Sequence, residues 1–352
     1  MSKKRAVIFG VTGQDGSYLS EFLLSKQYDI AGVARRTSVD NTSRLEYILT
    51  HPSFNLEEGD ITDYGSVFRV ISKYQPDEVY NLAAMSHVGT SFNQPSLSFD
   101  ITAKGCLNIL EAVREVCPSA RFYQASSSEM FGDSYSFARK IGRYQSEETE
   151  FNPRSPYAIA KLAAHQAAGL YREAYDLYTS CGILFNHESE RRGDKFVTKK
   201  ITRYINELYQ HIKESKTLGL DFSTYVDNSS PKLSLGNIYA SRDWGHAEDY
   251  VQAMWMMLQQ DEPDDYVICT GETHTVEEFL IESFNLIGIE DHTPYVVKDE
   301  NLMRPLEVPF LKGDYSRASE ELGWQPRISF KELVSRMVLH EIKDEEEKND
   351  GF

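Results

Sequence analysis

Three hydroxyls and a carboxylate, Ser126-Ser127-Ser128-Glu129, stand about thirty residues ahead of Tyr157-Ala-Ile-Ala-Lys161. Tyr157 and Lys161 are four apart, which places them on one side of a helix. An ammonium beside a phenol favours the phenolate. Tyr157 is then a usable base, near neutral pH, for the proton of an alcohol being oxidised. Ser127 or Ser128 can hydrogen-bond the same hydroxyl. Glu129 is the unusual member, because hydride transfer to or from an alcohol needs no carboxylate. Removal of a C–H proton made acidic by an adjacent ketone does need one, and the same acid can return its proton to a departing hydroxide. Serine ahead of glutamate is also an ordinary helix start.

These groups must be carried by elements, and the chain supplies an alternation of them. Residues 5–10 form a short apolar run, read as a buried strand. Gly10-Val-Thr12-Gly13-Gln14-Asp15-Gly16 follows, and Tyr18 onward has helical periodicity. Strands are predicted at 28–34, 77–82 and 120–126, helices at 63–74, 103–116 and 156–176, and a further apolar run at 178–185. Such alternation predicts a Rossmann-type, doubly wound parallel α/β sheet over 1–185. Beyond residue 186 the pattern loosens, with helices predicted at 247–259, 275–287 and 329–343. A smaller, mixed α/β substrate-binding domain is expected over 186–342, with segments near 235–262 returning to the first. Residues 213–232 read as a long polar loop or insertion, and 343–352 as an acidic tail that frays.

A glycine turn between strand and helix lets backbone N–H groups approach a pyrophosphate. With the strand before it and the helix after it, the turn predicts a nicotinamide dinucleotide. The end of the second strand carries Arg35, Arg36, Thr37 and Ser38 in place of the acidic residue usual for NAD. Two guanidiniums and two hydroxyls suit a 2′-phosphate, so the expected cofactor is NADP. Asp60 and Ile61, after another strand, are placed for the adenine. Leu82, Ala83, Ala84 and Ser86 lie at a further strand end.

The formal net charge is −17, which argues against nucleic acid and anionic membrane as partners. Lys3, Lys4 and Arg5 ahead of an apolar run resemble a signal peptide, but the run is short and ends in the glycine turn. Cys106, Cys117, Cys181 and Cys269 show no paired spacing and read as buried reduced thiols, in keeping with a cytoplasmic protein. His51, His165, His211, His274, His292 and His340 form no metal-ligand spacing, and no metal is expected.

With these residues in place, the chain resembles the extended short-chain dehydrogenase/reductase family, and within it the GDP-mannose 4,6-dehydratases. The resemblance rests on Gly10–Leu19, Arg35-Arg36, Gln124–Gly132 and Pro153–Lys161. It continues through Asn186-His187-Glu188-Ser189-Glu190-Arg191-Arg192-Gly193, Phe196–Ile201, Arg242-Asp-Trp-Gly-His-Ala247 and Arg304-Pro-Leu-Glu307-Val308. It implies Ser127, Glu129, Tyr157 and Lys161 as catalytic, and Lys161, His187 and Arg192 at NADP. It implies Ser86, Ser128, Asn186, Glu188, Lys200, Arg242, Arg304 and Glu307 around a GDP-sugar. It also implies a homodimer or homotetramer with the 187–196 loop at an interface. The reaction implied is oxidation at C4, deprotonation at C5 with loss of water from C6, and hydride return to C6. Ser127 stands where the family usually has threonine, Glu190 where it has proline, and Leu97 where tyrosine is frequent. The 213–232 stretch is longer than the family norm, so a related GDP-sugar such as a GDP-heptose is the alternative substrate. An epimerase or reductase on the same fold, or a nucleotide sensor without catalysis, are the other readings. The first would not need Glu129, and the second would need neither Tyr157 nor Lys161.

Overall fold

The computed structural model describes residues 3–140, 142–217 and 232–350. In chain order the first half runs β1 (Arg5–Phe9), α1 (Gln14–Ser25), β2 (Asp29–Ala34), β3 (Phe54–Glu58), α2 (Tyr64–Tyr74) and β4 (Glu78–Asn81). Then come α3 (Val88–Asn93), α4 (Pro95–Phe99), α5 (Gly105–Val116) and β5 (Arg121–Ser127). A hairpin of β6 (Ser136–Ala138) and β7 (Gly142–Tyr144) precedes α6 (Pro156–Tyr175) and β8 (Thr179–Leu184). The second half holds β9 (Asn186–Glu188), α7 (Val197–Thr217), β10 (Leu233–Leu235), β11 (Ser241–Arg242), β12 (Trp244–His246) and α8 (Ala247–Met257). It closes with β13 (Tyr266–Ile268), β14 (His274–Thr275), α9 (Val276–Asn285), β15 (Val296–Lys298) and α10 (Phe330–Asp350).

Seven strands form one sheet in the order β13-β8-β5-β4-β1-β2-β3, and every pairing is parallel. Parallel strands need helical crossovers, which cover both faces; the inner strands are buried, while edge strand β3 leaves Asn55, Leu56 and Glu58 exposed. One face packs Leu19 and Leu23 of α1 with Val251, Met254 and Met257 of α8. The other packs Val67 and Ile71 of α2 with Ile109 and Val113 of α5 and Ala164 and Ala168 of α6. Ala318, Leu322 and Trp324 join the first of these clusters, so chain well beyond residue 262 also returns to the sheet.

A third cluster holds α7, α9 and α10 together through Ile201, Ile205, Phe279, Leu280, Leu333 and Val334. It meets the sheet through short strand pairs. Parallel pairing of β9 with β12 sets His187 opposite Gly245. A Cβ at Gly245 would stand 2.4 Å from the Tyr250 ring, so glycine is what allows that approach.

Two expectations are corrected. Residues 213–217, read as loop, are the last turn of α7 with Ser215 buried; the lysines and glutamate there are good helix formers. Residues 218–231 lie outside the described residues. The acidic end, expected to fray, continues α10 as far as Asp350, again because glutamate and lysine favour helix.

Candidate active site

The carboxyl ends of the parallel strands converge on one edge, where open α/β sheets hold ligands. Gly10 follows β1, Arg35 follows β2, Asp60 lies just past β3 and Leu82 follows β4. Gly10 has φ +85°, and a Cβ on it would stand 2.8 Å from Ala83 N; one on Gly16 would stand 2.5 Å from Gly10 O. The turn therefore closes only with glycine at both places. No side chain caps the first turn of α1, which leaves its backbone N–H groups to a ligand. These observations fit the diphosphate of a dinucleotide.

Asp15 sits at this cradle and would repel an anion were it not neutralised. Its Oδ2 lies 2.8 Å from His187 Nε2, while His187 Nδ1 lies 2.7 Å from Phe185 O. Both ring nitrogens face acceptors, which favours the doubly protonated ring. Burial works against that charge, but Asp15 raises the His187 pKa. Burial also works against the Asp15 charge, yet His187 brings its pKa down to about 2. Tyr250 stacks on the imidazole with centroids 4.6 Å apart. Gln14 Nε2 donates to His187 O at 3.1 Å, and Ser189 Oγ donates to Gln14 Oε1 at 2.8 Å.

Arg35, Arg36, Thr37 and Ser38 are exposed. The first three line a shallow depression with Leu56, Glu57 and Glu58. Neither guanidinium is paired with another described side chain. Asp60 is half engaged, its Oδ1 accepting from Thr62 N and Oγ1 at 2.9 and 2.8 Å. Ile61 is buried beneath Gly105, where a Cβ would meet its Cδ1 at 2.6 Å. Thr12 O accepts from Arg44 Nη1 at 3.4 Å, and Arg44 Nε donates to Arg191 O at 2.8 Å. These residues lie outside the walls of the main cleft.

That cleft, of about 350 Å³, is lined by Asp15, Leu82, Ala84, Ser86, Ser127, Ser128, Glu129, Tyr157 and Lys161 from the sheet side. Asn186, His187, Glu188, Arg192, Lys200, Arg242, Arg304 and Glu307 face them. Tyr157 and Lys161 lie in the first turns of α6, which Ser155 caps by accepting from Ala158 N at 3.0 Å. Lys161 Nζ donates to Ala125 O at 2.6 Å and stands 5.8 Å from the centre of the Tyr157 ring. The expected depression of the phenol by lysine is not what this arrangement shows. Burial pushes the Tyr157 phenol up to about 12, and the groups opposing it are Ser127, through a hydrogen bond, and Arg192. Burial likewise lowers the Lys161 ammonium to about 8.

Glu129 follows β5 in a turn of 3₁₀ helix, and its N–H donates to Ser127 Oγ at 3.3 Å. Serine thus caps the turn and also lines the cleft. Glu129 Oε1 lies 3.4 Å from Arg304 Nη1, Arg304 Nη1 lies 3.5 Å from Glu307 Oε1, and Glu307 Oε1 accepts from Arg242 Nη2 at 2.9 Å. All four residues of this chain of alternating charges line the cleft. Arg242 also donates to Val308 O at 2.7 Å.

The 187–196 segment has its arginines engaged within its own chain. Arg191 donates to Ser17 Oγ at 3.0 Å and pairs with Glu21 at 2.7 Å. Arg192 pairs with Glu188 at 2.8 Å and covers the Phe196 ring at 3.6 Å. Glu190 accepts from Tyr18 OH at 2.8 Å and lies 3.2 Å from His246 Nε2.

Sequence reasoning missed His87, Lys195, Phe196 and Trp244, which also line the cleft. His87 caps α3 by accepting from Thr90 N at 3.1 Å. Burial and the surrounding Arg304, Lys195 and Lys200 push its pKa down. A histidine one residue beyond the Leu82–Ser86 block was the available signal. His165, Cys181 and Asp265, scattered in sequence, have ligand atoms within 4.8 Å of one another. Asp265 is however paired with Arg172, and His165 Nδ1 lies 3.0 Å from Ser126 Oγ. Among the described residues no helix is long and apolar enough to cross a membrane.

The fold is that of the extended short-chain dehydrogenases/reductases that modify nucleotide-sugars. The dTDP-glucose 4,6-dehydratase of Streptomyces venezuelae, solved with NAD, superposes with a TM-score of 0.79 at 21% identity, over 97% of this chain and 98% of that one. Within that class the family model for GDP-mannose 4,6-dehydratase matches residues 7–337. GDP-mannose 4,6-dehydratase 1 of Arabidopsis thaliana is 48% identical over 97% of this chain and 90% of its own length. The human GDP-mannose 4,6-dehydratase is 42% identical over 97% of this chain and 93% of its own length. The chain belongs to the GDP-mannose 4,6-dehydratase family, and is an enzyme of the hydro-lyase class.

Proposed function

We propose that this enzyme converts GDP-mannose to GDP-4-keto-6-deoxymannose, with NADP as its resident cofactor. The observation that carries the reading is the meeting, in one cleft, of a buried tyrosine–serine pair with a buried carboxylate and a row of cations. The first pair suits an alcohol, the carboxylate suits elimination, and Arg242, Arg304, Lys195 and Lys200 suit a diphosphate.

NADP supplies the hydride acceptor for C4 and later the hydride donor for C6. Arg35 and Arg36, exposed at the end of β2, are the residues to hold its 2′-phosphate. Asp15, tied to His187, leaves the first turn of α1 to its diphosphate. The sheet half is thus the cofactor side, and the α7, α9 and α10 half the sugar-nucleotide side.

Tyr157 takes the proton of the C4 hydroxyl, with Ser127 hydrogen-bonded to the same oxygen. The resulting 4-ketone makes the C5 proton acidic, and Glu129 removes it. The protonated Glu129 then delivers that proton to the hydroxyl leaving C6, which departs as water, and C5 takes a proton of solvent origin as hydride is returned to C6. Lys161 holds a positive charge below the phenol while it is protonated. A homo-oligomer that meets a second copy near exposed Asp194 and Lys195 belongs to the same reading.

The test is incubation of purified protein with NADP⁺ and GDP-mannose, followed by mass spectrometry of the nucleotide-sugar. Loss of one water is the expected result. An unchanged substrate, or an isomer of equal mass, would overturn the reading in favour of another GDP-sugar or an epimerase.

A further inference from the structure

Next to Lys161 runs a buried polar row that the proton chemistry does not use. Arg121 N bonds Asp77 O, whereas Phe122 N bonds Tyr178 O. Alternate residues of β5 thus serve alternate neighbours, and Ala125 turns toward β4. That strand ends at Asn81, which stands opposite Gln124, so the Ala125 carbonyl is left to side chains. It receives two of them, Lys161 Nζ at 2.6 Å and Gln124 Nε2 at 3.0 Å. A carbonyl oxygen has two lone pairs, and here both are taken.

Gln124 cannot turn its amide round. Its Oε1 accepts from Asn81 Nδ2 at 2.8 Å and from Cys106 Sγ at 3.1 Å. In the reverse orientation that oxygen would face Ala125 O, acceptor against acceptor. Cys106 serves as a donor because burial pushes its thiol up to about 12. Asn81, Gln124 and Cys106 are all buried. The direction of the row leaves Asn81 Oδ1 buried with no partner among the described residues. It is therefore set at the Ala125 end, where Lys161 is.

We propose that Gln124, held by Asn81 and Cys106, is a positioning residue for Lys161, and that by sharing Ala125 O it sets the pH at which the lysine gives up its charge. The amide N–H brings a partial positive charge to the oxygen on which the ammonium depends, and so favours the neutral amine. Burial acts in the same direction. The titratable groups that act on Lys161 are Cys106 of α5 and Asp15 of α1, with Tyr157 one turn back on α6. Cys106 and Tyr157 both stand at about 12 and Asp15 at about 2, so none of them titrates where Lys161 does, at about 8. His187, the partner of Asp15, is the same in every variant below.

The proposal rests on the role given to Lys161 in the function reading. Gln124→Met keeps the volume and removes the donor. Gln124→Asn draws the amide back by one methylene and keeps a polar group for Asn81, which serves if the first variant does not fold. In both, Lys161 has Ala125 O to itself and holds its proton to higher pH. The bend in the pH profile of C4 oxidation, read as reduced cofactor absorbance, moves up by about half to one pH unit, the worth of one neutral hydrogen bond. Ile109→Val, which loosens the same layer of the core without touching this row, leaves the bend in place. A Gln124 that only supports the fold would lower the denaturation midpoint and leave the bend where it is, and that result would overturn the proposal. The pH midpoint for acetylation of Lys161 by acetic anhydride, read by peptide mass spectrometry, gives the same quantity without turnover. If GDP-mannose yields no reduced cofactor, yet this midpoint moves up in the Gln124 variants, the function reading fails and the role of Gln124 stands. If the parent protein turns over and neither bend nor midpoint moves in the variants, the function reading stands and the role of Gln124 falls.

Discussion

Glu129 Oε1 lies 3.4 Å from Arg304 Nη1, so the carboxylate proposed for elimination is paired with a cation that lines the same cleft. Both are shielded, with side-chain exposures of 10% and 29%. A carboxylate so placed can exchange a proton with a neighbouring carbon, but it cannot accept a hydride. Replacing it with glutamine keeps a hydrogen-bonding side chain at Arg304 and removes the base. In Glu129→Gln, elimination falls about 10²–10⁴-fold, while oxidation at C4 still occurs and is seen as reduced cofactor absorbance in a single turnover. Unchanged water loss in the variant would remove Glu129 from the mechanism.

Tyr157 and Lys161 give the pH dependence. The phenol stands at about 12 through burial, so below that value the fraction present as phenolate rises tenfold per pH unit. Lys161 stands at about 8 through burial, so its ammonium is lost as pH rises through that value. The rate of C4 oxidation therefore climbs with pH and bends near pH 8, and Lys161→Met removes the bend. Ser127→Ala, which takes away the hydrogen bond opposing burial, lowers the rate about tenfold across the neutral range. Pre-steady-state absorbance measurements over pH 6–10 check this (roughly the window in which both groups act).

Arg35 and Arg36 are exposed and pair with no side chain among the described residues, so removing them orphans no partner there. Alanine at both positions raises the KM for NADP⁺ about tenfold to a hundredfold, the value of one or two charge-assisted hydrogen bonds. The KM for NAD⁺ changes little, because NAD⁺ lacks the phosphate. Parallel titration of both cofactors decides it, and an equal loss for both contradicts the assignment.

Asp15 and His187 are coupled at 2.8 Å. The folded His187 pKa lies above its ordinary value of 6.5. Its contribution to stability is thus full below about 6.5 and fades as pH rises through the raised value. The folded Asp15 pKa lies at about 2 against an ordinary 3.8. Its contribution is full above 3.8 and fades as pH falls toward 2. His187→Gln leaves Asp15 charged and partly buried without its cation, at a cost of about 3 kcal/mol. Denaturant titration should show that loss greatest between about pH 4 and 6.5 and shrinking on either side.

The first half of the fold was legible because its signals are local. Ala6-Val7-Ile8-Phe9 is an unbroken buried run ending in Gly10, whose positive φ marks the turn. Edge strand β3 is harder to read, since Asn55, Leu56 and Glu58 are exposed and its apolar face is short. Strand β13 has three residues and belongs to the sheet only because β8 is there to pair with it. That Ser127, Glu129, Tyr157 and Lys161 share one cleft was legible because their types are chemically unusual in combination. His87, Lys195 and Asn237 were not, because each is an ordinary residue that enters the cleft only when α3, α7 and β10 are folded beside the sheet.

The most direct test uses GDP-mannose carrying deuterium at C4, incubated with the NADP⁺-loaded enzyme in ordinary water and, separately, unlabelled GDP-mannose in deuterated water. The account predicts that the product of the first retains its label at C6, and that the product of the second gains one solvent deuteron at C5. Loss of the C4 label to bulk solvent, or a product formed without exchange at C5, would contradict a stored hydride and an elimination through Glu129.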